Sequence, residues 1–74
     1  MPDKQKELED LAKADSDIAK AEHVVAEQVA LIEHLADRGQ STEEAEAVLR
    51  NFEDTLAVFR DHRALIVDTL RHLA

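Results

Sequence analysis

Apolar side chains recur at alternating three- and four-residue intervals along two stretches of this chain. In the first, Leu11, Ile18, Val25 and Ile32 stand seven residues apart, with Ala14, Ala21, Gln28 and Leu35 at the intervening positions. In the second, Leu49, Phe52, Leu56, Phe59, Arg63, Ile66, Leu70 and Leu73 keep the same rhythm, broken in polarity only at Arg63. That spacing paints one stripe along an α-helix and alternates on no strand. Between the stretches lies Asp37-Arg38-Gly39-Gln40-Ser41, which contains the only glycine. Gly39 suits the residue after a helix C-terminus, where a positive φ carries no Cβ penalty. Ser41-Thr42-Glu43-Glu44 spells a capping box, with Ser41 accepting from the Glu44 amide and Thr42 as an alternative cap one residue later. Pro2 followed by Asp3 marks a helix start at the front.

The predicted architecture is therefore all-α, a single antiparallel two-helix hairpin of coiled-coil character. Its first helix covers about residues 3–37, its turn about 38–41 and its second helix about 42–73. Helices of this length extend about 50 Å at ~1.5 Å per residue. Folding back across Gly39 opposes residues whose numbers total about 80, given a turn of two to five residues. Phe59 then meets Ala21 and Ile18, and Phe52 meets Val25 and Val29, so that large rings face small or β-branched partners.

Two helices cover only one side of each other, and the chain has further apolar residues off the stripe. Val24, Val29 and Leu31 lie there in the first stretch, and Val48, Val58, Leu65 and Val67 in the second. A second copy packed against them would form an antiparallel four-helix bundle, so a homodimer is expected.

Composition supports helix and removes several chemistries. The 74 residues include one Gly, one Pro, two Phe, no Trp, no Tyr and no Cys. One small core is all that this length can support. Without cysteine there are no disulfides, thiolate nucleophiles, zinc-thiolate sites or iron-sulfur clusters, and a single glycine cannot build a phosphate-cradling loop. The formal net charge of -8 disfavours binding to a phosphate backbone. No apolar run is long enough to span a membrane, and residues 1–6 lack the apolar centre of a signal peptide, so a cytoplasmic protein with no membrane partner is expected.

Candidate catalytic groups are sparse. Three residues before His23, His34, His62 and His72 stand Lys20, Leu31, Phe59 and Thr69, so the Glu-x-x-His pattern of di-iron bundles is absent. His23 with Glu27, and His72 with Asp68, are spaced as ordinary solvated helix pairs. Ser16 falls in mid-helix and Ser41 at a cap, leaving no visible nucleophile with a base. Neither an enzyme, nor a metal site, nor a cofactor is expected.

Arg63 is the informative exception in the stripe. A charge at a seam position calls for an opposite charge nearby, and the register brings Asp15 and Asp17 within reach, with His62 beside them. Polar seam residues of this kind set register and orientation at some cost in stability. The competing reading is a partner-docking or pH-sensitive cluster.

Within residues 28–66, Gln28, Leu31-Ile32, Leu35, Gly39, Thr42, Ala45, Leu49, Phe52, Thr55-Leu56, His62-Arg63 and Ile66 form a pattern that resembles a group of short helical proteins from alpha-proteobacteria. The resemblance implies a specified polar feature at Thr55 and His62-Arg63, and implies no activity, substrate or cofactor. The expected role is thus a small non-enzymatic interaction or assembly module, acting as a homodimer and presenting its outer face to another protein. One alternative is a regulator that binds structured RNA through Lys6, Lys13 and Lys20, which line one helix face at seven-residue spacing. A second is an acidic mimic of DNA, for which too few carboxylates align.

Overall fold

The computed structural model describes residues 3–73, which form two α-helices, α1 (Lys4–Asp37) and α2 (Glu43–Leu73). They pack against each other as a hairpin with principal extents of 55 × 14 × 13 Å. Bonds between the helices give its direction: Asp15 pairs with Arg63, Glu22 with Arg60, and Gln28 with Ala45, so partner numbers fall as the α1 number rises. The totals are 78 for Asp15 with Arg63 and 82 for Glu22 with Arg60, which bracket the register expected from the turn length, and 73 for Gln28 with Ala45, where the amide bonds a carbonyl nearer the turn than that register places opposite it.

Local signals explain where each helix begins and ends. Asp3 caps α1, its carboxylate accepting from the Gln5 amide at 3.1 Å while its carbonyl takes the Glu7 amide at 2.9 Å. At the other end Gly39 adopts φ +70°, its amide donates to the Ala36 carbonyl at 3.0 Å, and the Gln40 amide donates to the Leu35 carbonyl at 2.9 Å. This pair of bonds is a Schellman motif, which satisfies carbonyls that have no partner further along the helix. The start of α2 differs in detail from the capping box. The helix opens at Glu43 with Thr42 in the cap position, and the Thr42 carbonyl accepts from the Glu46 amide at 2.8 Å. Ser41 Oγ accepts weakly, at 3.4 Å, from the Glu43 amide and not from that of Glu44. With Thr42 as the cap the third helical residue is Ala45, whose side chain has no acceptor to reach back, so the reciprocal box does not form.

The core follows the stripes. Ala14, Ala45, Leu56 and Ile66 are buried, and Leu11, Ile18, Val25, Ile32, Leu49, Phe52, Phe59 and Leu70 are half-buried along the same line. None of the large side chains described is completely withdrawn from water. Each helix can shield only the inward third of its neighbour, so a lone pair of helices has a seam where a larger fold has an interior.

Candidate functional site

The hairpin has two broad flanks of different character. Residues that immediately precede Ile18, Val25 and Ile32 in α1, or Leu49, Leu56, Arg63 and Leu70 in α2, project to one flank. Residues that immediately follow Ala14, Ala21 and Gln28, or Ala45, Phe52, Phe59 and Ile66, project to the other, because seven residues make nearly two turns. In an antiparallel pair like flanks meet, so each side of the hairpin takes residues from both helices.

One flank is charged. Arg63 Nε donates to Asp15 Oδ1, and Arg60 donates to Glu22 across the helices at 3.1 Å. The Arg63 stem lies in the seam, half-buried, while its guanidinium reaches the rim. With side chains 42% and 54% exposed, the Arg63 and Asp15 pair is wet enough that its contribution falls within about 0–1 kcal/mol. Its value is geometric, because a seam cation with one acceptor in reach disfavours displaced registers. Asp17 does not share in this pair: it belongs to the opposite flank and binds Lys13 on its own helix at 3.0 Å. His62 also stands away, exposed and without a hydrogen bond or ion pair among the described residues, since it precedes Arg63 and projects to the flank opposite Asp15. The polar cluster thus reduces to Arg63 with Asp15, reinforced one turn away by Arg60 with Glu22.

Replacing Arg63 with Leu is expected to raise stability by about 1 kcal/mol, as apolar burial replaces a solvent-screened ion pair. A higher urea midpoint with unchanged self-association would identify Arg63 as a register element. Loss of association would give it a binding role.

A second polar lock escaped the sequence reading. Gln28 Nε2 donates to the Ala45 carbonyl at 2.9 Å, a partly buried bond between the helices near the closed end. Gln28 occupies the small-residue line with Ala14 and Ala21, and a lone amide at a stripe position is the signal that could have revealed it.

The other flank is apolar. Ala21, Val24, Phe52, Thr55 and Phe59 line a shallow open depression bordered by Asp17 and Lys20. Nearer the turn, Leu31, Leu35, Ala45 and Val48 line a second, with Gln28, Ser41 and Glu44 at its edges. Phe59 shares the first depression with Ala21 as the register requires. Phe52 shares it with Val24, whereas Val29 follows Gln28 and so projects to the charged flank. Both rings are half-buried, with Ala21 leaving room on this side. Of the seven large apolar residues that remain exposed among those described, Val24, Leu31 and Val48 occupy this flank, and Val58 and Leu65 its outer shoulder on α2; Leu8 and Val29 fall on the charged side. Val67, grouped with the off-stripe residues on pattern alone, is half-buried.

The remaining charged groups are solvated. His23 pairs with Glu27 at 3.0 Å, and His72 Nδ1 lies 2.7 Å from the Asp68 carbonyl, in both cases within one helix. No group of three His, Asp or Glu side chains that could hold a metal ion occurs among the described residues, and no polar side chain there is buried. Among the described residues no helix is long and apolar enough to cross a membrane. The chain matches no protein-family model, no curated protein and no solved structure.

Proposed function

We propose that this hairpin is a non-enzymatic assembly module that works as a homodimer, its two copies forming a four-helix bundle whose outer surface engages another protein. One observation carries the reading: large apolar side chains are concentrated on one flank of a hairpin in which none of the large residues described is fully withdrawn from water. An exposed stripe of this kind is stabilised by burial against another apolar surface, and a closed two-fold pair is the commonest way to supply one. Half-covered seam residues, Phe52 and Phe59 among them, gain their second layer of contacts in the same step. With that flank buried, the surface left for another protein carries the Arg60 and Arg63 ion pairs and the acidic exterior.

The lysine strip lends no specific support to an RNA reading. Lys6 is engaged by Asp10 at 3.5 Å and Lys13 by Asp17 at 3.0 Å, so local carboxylates offset its charge. Sedimentation equilibrium at micromolar concentration is expected to give twice the chain mass. A monomer throughout that range overturns the proposal. Affinity capture followed by mass spectrometry, repeated with a dimer-deficient variant, then identifies partners that require the bundle.

A further inference from the structure

Resting on the homodimer reading, we infer that the second copy covers the flank carrying Val24, Leu31 and Val48, and that it docks with its turn at the same end, about a two-fold axis parallel to the long axis of the hairpin. Three observations lead there. The first is sidedness: five of the seven exposed large apolar residues lie on this flank or its shoulder, while the opposite flank spends its interhelical contacts on Arg63 with Asp15 and Arg60 with Glu22. The second is size. A face of 55 × 14 Å covers roughly 770 Å², close to the ~800 Å² per partner of a stable protein interface.

The third is a gradient along the flank, which selects the orientation. Near the turn the flank is apolar, through Leu31, Leu35, Val48 and Val24; toward the chain ends it becomes polar, through Asp10, Asp17, His62 and Thr69. With both turns at one end, α1 of each copy lies over α2 of the other at matching levels. Leu31 then faces Val48, Val24 faces Thr55, and Asp17 faces His62, each across the two-fold. With turns at opposite ends, α1 lies antiparallel on α1 and sets Leu31 against Asp10 and Val24 against Asp17, burying carboxylates against hydrocarbon. The same-end arrangement also accounts for the lysine strip. Lys13 and Lys20 occupy the outer shoulder of α1, level with Leu65 and Val58 of the other copy, where their aliphatic stems cover hydrocarbon and their ammonium groups stay in water.

The chain has no cysteine, so Gln40→Cys gives one spin label per copy at the exposed turn. Turns at one end place two labels within about 30 Å, given helix packing distances of about 8–10 Å. Turns at opposite ends separate them by nearly the 55 Å length of the hairpin. In parallel, Leu31→Glu and Val29→Glu introduce the same charge at positions 43% and 38% exposed on opposite flanks. Leu31→Glu is expected to weaken dimerisation on the order of 100-fold with helicity retained, since the two-fold repeats the buried charge. Val29→Glu should change it less than about threefold. A dimer whose labels lie near 55 Å, or one broken by Val29→Glu and not by Leu31→Glu, overturns this inference and leaves the homodimer intact. A chain that is monomeric without any substitution overturns both.

Discussion

Leu56→Ala is expected to lower the unfolding free energy by about 2–4 kcal/mol, as large an effect as any single truncation in this chain should have. Leu56 is only 7% exposed and stands midway along α2, where it and Ile66 are the two large side chains among the four buried residues described. Removing its isobutyl group leaves a void that straight helices of this length cannot close without shifting the neighbouring layers. Urea titration at one fixed protein concentration checks it, because any self-association would otherwise move the midpoint by mass action. A loss under about 1 kcal/mol would mean that the seam contributes far less than its burial indicates.

The second large effect concerns one layer of the seam. Ala14 is 4% exposed and Ile66 is 5%, and a register total of 80, between the 78 and 82 of the two ion pairs, would set them opposite each other. Ile66→Ala is expected to cost about 2–4 kcal/mol by opening a cavity, and Ala14→Leu about 1–3 kcal/mol by overfilling the same space. Combined, the two substitutions exchange large for small across the layer, so the double variant should be more stable than the sum of the single effects by at least about 1 kcal/mol. Additivity within about 0.5 kcal/mol would show that the residues do not share a layer, and the register would then be wrong.

Most of the fold was legible in the residue order because helix hairpins are governed by local rules. The three-and-four spacing identified both stripes, and burial follows them from Leu11 to Leu70. Gly39 ended α1 for the backbone reason its position implied, with φ +70° and both Schellman bonds in place. The start of α2 was less legible: Ser41 and Thr42 both offer a cap, and the choice depends on how the chain leaves Gly39, a feature of the turn rather than of the motif.

The candidate site was legible in part. A charge at a seam position announced Arg63, and turn length alone brought Asp15 and Asp17 level with it. Turn length alone does not say which flank each acid occupies; its place before or after a stripe position does. Asp15 follows Ala14 and reaches Arg63, while Asp17 precedes Ile18 and turns away toward Lys13. His62 stands apart from the pair for the same reason, since adjacency in sequence means divergence of about 100° around a helix. The Gln28 bond to Ala45 was missed because a single seam amide announces a need for a partner without naming it.

By itself, then, the order of residues determined the helical class, the two segments, the bend at Gly39 and the line along which the helices meet, because each depends on periodicity or on one backbone conformation. Only the tertiary structure decided which polar groups pair across the seam, and that five of the seven uncovered large apolar residues described lie on the flank or shoulder away from the Arg60 and Arg63 ion pairs. Those outcomes depend on the relative rotation of two helices about their own axes, which no single helix encodes and which is set when both stripes are buried together.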